Sequence, residues 1–176
     1  LIPFASISQF LSLEENLEKD NLHNKSGTEF LDAPYDQAPY ARIESVLMKA
    51  FVDMPKMQPS KVKGPRKNRI YELRSYESAT QDYYKRKVDM FNAGGEVKLF
   101  DRLGFNAVFY AEVISGPKMP NLMYMTTFED QEKRDGLWKQ FFDSPEWEKL
   151  KAIDKYKKTV SKADKYFLYP TEYSDY

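Results

Sequence analysis

The 176-residue chain has no cysteine and a single histidine. The first absence excludes disulfides, thiolate nucleophiles and cysteine-ligated metals, while leaving the compartment open. The second makes His23 the sole imidazole. Its charged and polar neighbours near the start of a short helix place it on the surface, not at a metal or as a general base. Net charge is absent too, with 27 Lys and Arg against 27 Asp and Glu, so no overall field draws the chain to nucleic acid or an acidic membrane. No apolar run approaches the roughly 20 residues of a membrane-spanning helix. There is no phosphate-binding loop, dinucleotide glycine motif, metalloprotease helix or nucleophile elbow. Neither a metal nor a cofactor is expected.

Aromatic residues, by contrast, are plentiful: 13 Tyr and 12 Phe contribute to an aromatic content of 15%. Such richness suits a tightly filled core or an aromatic-lined cavity.

From the N-terminus, Leu1–Phe4 reads as a strand end. Ser6 or Ser8 can cap a helix with apolar Phe10, Leu13 and Leu17, and a second helix is expected over about 22–31. Residues 40–51 alternate like a strand. Pro, Lys, Ser and Gly dominate 55–68, which reads as an exposed linker, with Lys61, Lys63, Arg66, Lys67 and Arg69 as solvated charges. A second strand covers Arg69–Tyr76. Thr80 caps a helix carrying Tyr84, Val88, Phe91 and Leu99, in which Gly94-Gly95 predicts a kink or a close backbone approach. Gly104 ends it, and strands follow over 105–115 and 121–128. Asp130 caps a helix that buries Leu137, Phe141 and Trp138, Ser144-Pro145-Glu146 starts another, and 163–169 closes the set.

Shifted by 124 residues (128 − 4), Phe4 falls on Phe128, Ser6 on Asp130, Leu13 on Leu137, Leu17 on Phe141 and Asp20 on Ser144. The chain therefore reads as the C-terminal half of a first unit (1–54), a linker (55–68) and a complete second unit (69–176), the first lacking its opening β-α-β. The complete unit has the order β-α-β-β-α-β. That is the split βαβ of ferredoxin-like α+β folds, an antiparallel sheet with its helices on one face. In 105–115 one face carries Phe105, Ala107, Phe109, Ala111 and Val113 and is expected to meet the helices. The other carries Asn106, Val108, Tyr110, Glu112 and Ile114, too apolar for bulk water. Such a sheet needs a second cover, most simply another sheet packed face to face in a homo-oligomer.

Arg69-Ile-Tyr-Glu-Leu-Arg-Ser-Tyr-Glu77 resembles the opening strand of NIPSNAP-family domains. Phe105-Asn-Ala-Val-Phe-Tyr-Ala-Glu112, Pro120-Asn-Leu-Met-Tyr-Met-Thr-Thr-Phe128 and Arg134…Trp138…Phe141…Pro145-Glu-Trp147 are similar to its later strands and second helix. Pro39-Tyr-Ala-Arg-Ile-Glu-Ser45 resembles the end of the first of two tandem domains in bacterial members. The resemblance implies the dimeric α+β barrel superfamily and, from exported tandem relatives, a periplasmic setting. It brings no agreed catalytic residues. Haem, used elsewhere in that superfamily, would need an axial histidine in the barrel, and His23 lies on the wrong element.

The candidate ligand-binding residues are Glu72, Arg74 and Tyr76 on one strand, Tyr110 and Glu112 on the next, and Arg42 and Glu44 at corresponding positions of the first unit. They are expected on the face turned into the barrel. Buried charges must pair or serve a ligand. Two readings stay open: an ion-pair network that docks the sheets, or a small-molecule pocket. The leading expectation is a self-associating protein that binds a small molecule or a protein partner. The alternative is a cofactor-free enzyme acting on a small organic acid or phenol. There Arg74 or Arg42 would anchor an anion, Glu112 or Glu72 take a proton, and Tyr76 or Tyr110 donate a hydrogen bond.

Overall fold

The computed structural model describes residues 1–174 and divides into two compact units, 1–44 and 45–176. The first holds four short helices, α1 (Ile7–Leu11), α2 (Leu13–Glu18), α3 (Asn21–Ser26) and α4 (Thr28–Leu31), none with a buried residue. Ser6 caps α1 by accepting from Gln9 N–H, and Asp20 caps α3 by accepting from the N–H groups of Leu22 and His23. The strands expected at 1–4 and 40–46 do not form. Pairing begins only at Leu47, which lies opposite Ser115, the last residue of its partner strand. Upstream of that point the backbone has no ladder to join.

The second unit contains one five-stranded sheet, β1 (Leu47–Ala50), β2 (Ile70–Glu77), β3 (Asn106–Ser115), β4 (Asn121–Phe128) and β5 (Lys162–Leu168), in the order β1-β3-β4-β2-β5. All four pairings are antiparallel. Helices α5 (Gln81–Phe91) and α6 (Glu96–Leu103) connect β2 to β3; α7 (Gln131–Asp143) and α8 (Pro145–Ala152) connect β4 to β5. This is the expected β-α-β-β-α-β order, with β1 added at the β3 edge. Thr80, Asp130 and Ser144 each accept an N–H hydrogen bond at a helix start, as their types predict. The helix expected from Thr80 to Gly104 is two helices, because Gly95 turns left-handed at φ +87° and restarts the chain as α6. A Cβ on Gly94 would lie 2.5 Å from the Met90 carbonyl oxygen, so that turn also closes tightly on its own helix.

The helices cover one face, where Phe91, Phe100, Phe105, Tyr110, Tyr124, Phe128, Trp138 and Phe141 form the main core. Phe100 and Phe141 stack at 4.7 Å. The other face carries Tyr71, Phe109, Ala111 and Met125, with Met48, Leu73 and Met123 packed beside them. The expected facing of β3 is therefore right for Phe105 and Ala107 and reversed for Phe109 and Ala111. A bulge between Ala107 and Phe109 is the cause, since one extra residue sends every later side chain to the opposite side.

Most of the 55–68 segment is exposed, Lys61, Lys63 and Lys67 included, but it also packs against the sheet. Because β1 stops at Ala50, the edge of β3 over 106–110 lacks a neighbouring strand, and this segment supplies partners instead. Gln58 N–H donates to Val108 C=O at 2.9 Å, Ser60 and Thr127 share a hydroxyl hydrogen bond at 2.8 Å, Met57 packs on the second face and Val62 is buried.

Candidate functional site

Strand β2 has buried residues on both faces, and its alternation turns Glu72, Arg74 and Tyr76 to the helix side. The expectation that these three look away from the helices is thus overturned. Helix α7 crosses above and presents Arg134 and Trp138 four residues apart, one helical turn, to the same strand positions. Glu72 is fully buried. It accepts from Arg74 Nε at 2.6 Å, from Arg134 Nε at 2.7 Å and Nη2 at 3.1 Å, and from Trp138 Nε1 at 3.0 Å. The Arg74 guanidinium lies 3.6 Å from the Trp138 ring centroid and donates through Nη1 to the Tyr76 hydroxyl, which pairs with Tyr124 at 2.9 Å. Arg134 also donates to Asp135 at 2.6 Å.

Burial alone would raise the Glu72 pKa, but the Arg134 hydrogen bonds and the Arg74 and Arg134 charges outweigh it and hold this carboxyl below its ordinary value. Burial likewise disfavours the Arg74 charge, yet the oxygens of Tyr124, Tyr76 and Glu72 more than compensate and raise its pKa. A carboxylate with both oxygens already accepting charge-assisted hydrogen bonds has little basicity left for taking a proton. The cluster therefore fastens α7 to β2; it is not set up for proton transfer.

Two smaller polar groups accompany it. Lys87 of α5 donates to Glu96 of α6 at 2.7 Å, both nearly fully buried, and lies 4.6 Å from the Phe91 ring centroid. Tyr84 of α5 donates to half-buried Glu112 of β3 at 3.0 Å. Burial, then the Glu112 charge and hydrogen bond, push the Tyr84 phenol well up.

Of the candidate residues, Glu72, Arg74, Tyr76, Tyr110 and Glu112 lie together on the helix side of β2 and β3. Arg42 and Glu44 belong to the first unit, exposed and outside any strand. Arg134, Lys87 and Glu96 carry ion pairs that the sequence reading did not single out. Lys87 and Glu96 sit nine residues apart across a break read as continuous helix, and Arg134 is 62 residues from Glu72, so local spacing gives no signal for either pair.

Tyr110 occupies a different setting. It is buried in the aromatic core but lines a cleft of about 690 Å³ bounded by α6, the start of β3 and residues 53–61. Apolar Met54, Pro55, Pro59, Val97, Phe105 and Ala107 line the cleft beside Lys61, Lys98, Arg102, Asp53 and Asp101. Its size falls in the range of small-molecule sites. No helix of the described residues is long and apolar enough to cross a membrane.

The NIPSNAP family model matches residues 71–175. A NIPSNAP family protein from Agrobacterium tumefaciens is similar in structure with a TM-score of 0.53 and 15% identity, over 61% of this chain and 98% of that one. A NIPSNAP-like domain protein from Burkholderia xenovorans gives a TM-score of 0.53 at 18% identity, over 61% and 90%. A further A. tumefaciens relative, described as a NIPSNAP family protein with unknown function, gives 0.50 at 17%, over 65% and 98%. No curated protein matches significantly. At these identities the neighbours speak for the fold alone. The matched residues take in β2 to β5 with all four covering helices, and on that match the chain belongs to the NIPSNAP family.

Proposed function

We propose that this NIPSNAP-family protein is a non-catalytic binding protein that self-associates through the second face of its sheet and holds a small molecule. The observation that carries self-association is the composition of that face. Leu73, Met123, Tyr166 and Leu168 remain partly exposed there, with Tyr166 and Leu168 at 40% and 42%. Beside this apolar stretch, Lys118 pairs with Asp164 at 2.8 Å, so both signs of charge stand on one rim. A surface with an apolar centre and a balanced rim is complementary to its own copy about a two-fold axis. Ligand binding is supported by the cleft at Tyr110, and the saturated hydrogen bonding of Glu72 favours binding over catalysis.

Size-exclusion chromatography with light scattering tests self-association against the monomer mass of 20.7 kDa. Wild type is expected at a multiple of that mass, and Leu73→Glu, which puts a charge on the apolar face, at the monomer value. A wild-type chain that stays monomeric at high concentration refutes the proposal.

The same reading takes residues 1–54 as the second half of a preceding unit of the same type. The capping residues Ser6 and Asp20 fall on Asp130 and Ser144 at the 124-residue offset, and all four side chains accept the capping hydrogen bonds. A second functional reading, a cofactor-free enzyme acting on a small organic acid or phenol, is favoured by a tyrosine at the cleft floor. Following a bound acid by NMR for chemical change over hours separates enzyme from binding protein.

A further inference from the structure

We propose that the cleft between α6, the start of β3 and residues 53–61 binds a small amphipathic carboxylic acid carrying a neutral hydrogen-bond acceptor, a keto acid being the simplest case. This rests on the ligand-binding reading above and names its site and ligand class.

Three observations define the ligand. The first is the way the cleft is built. The Phe51 N–H donates to the Tyr110 carbonyl and the Gln58 N–H to the Val108 carbonyl, both at 2.9 Å, so 52–57 arches away from the β3 edge between two anchors. The bulge at 107–109 shifts the edge under that arch, leaving room lined by Met54, Pro55, Pro59, Val97, Phe105 and Ala107. This is space for an apolar body.

The second is the Tyr110 hydroxyl. Tyr110 is 99% buried, and its hydroxyl has no hydrogen-bond partner among the described residues. Yet it is not enclosed like the Tyr71 and Thr126 hydroxyls, which are buried without any partner. Tyr110 is one of the residues that line the cleft. An unpaired phenol on an otherwise apolar floor calls for an acceptor. Burial, with the nearby Glu96 and Asp101 charges, keeps this phenol protonated and therefore a donor. Asp101, which has no ion-pair partner among the described residues, disfavours an anion beside this hydroxyl, whereas Glu96 is already neutralised by Lys87; the acceptor is therefore neutral, a carbonyl or ether oxygen.

The third is the charge at the mouth. Lys61 has no ion-pair partner among the described residues, and Lys98 is only loosely paired, 4.0 Å from Asp53. Arg102 is already engaged by Glu146 at 2.9 Å. Asp53 and Asp101 share this rim, so Lys61 is the ammonium group left for a carboxylate at the outer end, with Lys98 beside it.

The test uses the full chain and three probes followed by saturation-transfer NMR. These are 4-acetylbenzoate, which has the acceptor and the carboxylate, 4-isopropylbenzoate, which lacks the acceptor, and 4-acetylbenzyl alcohol, which lacks the charge. Wild type is expected to bind 4-acetylbenzoate saturably, with a Kd of about 1 mM or tighter. Tyr110→Phe should weaken that binding about five- to tenfold, the effect of one hydrogen bond, while leaving 4-isopropylbenzoate within about twofold. The paired change Lys61→Met and Lys98→Met, at two exposed side chains where folding is not at risk, should weaken both carboxylates but not the alcohol. Absence of saturable 4-acetylbenzoate binding up to about 10 mM overturns the proposal, as does equal binding by Tyr110→Phe and wild type. Light scattering on the same samples keeps the result separate from self-association, because Tyr110 lies on the helix side and Leu73 on the other face.

Discussion

Replacing Glu72 with Gln keeps the shape of the side chain and removes its charge. In the native structure that charge faces two guanidinium groups, with side-chain exposures of 5% for Arg74 and 14% for Arg134. Arg134 retains Asp135 after the change. Arg74 retains only the Tyr76 hydroxyl and the face of Trp138, neither of which neutralises it. Gln also turns an N–H2 group toward donors that had been facing an acceptor. Leaving one buried charge without its partner costs about 3–5 kcal/mol. For a unit of this size each kcal/mol corresponds to roughly 3–5 °C in Tm, so a fall of about 9–25 °C is expected. Urea unfolding followed by tryptophan fluorescence reads the change directly, since Trp138 donates to Glu72 and stacks on Arg74. The same change at exposed Glu132 should stay within about 0.5 kcal/mol.

The acid limb supplies an independent check. Because the folded-state pKa of Glu72 is depressed, its contribution is fully present above the unfolded value of about 4.3 and is lost as pH falls through the folded value. The gap between wild type and Glu72→Gln should therefore be constant near neutrality and narrow below about pH 4. A loss under about 1 kcal/mol at pH 7 would refute the reasoning, because it would mean that Arg74 is hydrated and not held by Glu72.

Other outcomes follow from neighbouring geometry. Lys87→Met or Glu96→Gln alone should cost about 3–5 kcal/mol, and combining them should cost much less than the sum of the two, read as a coupling energy in denaturant melts. Gly95→Ala should destabilise by about 1–2 kcal/mol, since φ is +87° while nothing obstructs a Cβ; thermal melts measure it. Gly136→Ala, in the exposed interior of α7 with open space around it, should have the opposite sign, a gain of about 0.5–1 kcal/mol. Leu73→Glu should yield monomers by light scattering, and Tyr110→Phe should lose affinity only for ligands that carry an acceptor.

Local chemistry in the sequence already determined much of this protein. Thr80, Asp130 and Ser144 cap helices because a short oxygen-bearing side chain satisfies the first free N–H groups wherever it precedes a helical run. Gly104 ends α6 because its φ of +88° suits only a residue without a Cβ. Alternation located β2 to β5, and their order with the helices carried the split βαβ topology. Tertiary structure alone decided which side of each strand meets the helices. A two-residue period names two faces without saying which is covered, and the bulge at 107–109 exchanges them partway along β3. Strand formation at 40–46 failed for a related reason, since a strand exists only where a neighbour accepts its hydrogen bonds, and β3 ends at Ser115. The pairing of Glu72 with Arg134 depends on α7 folding back over β2, a contact between residues 62 positions apart that no local pattern encodes.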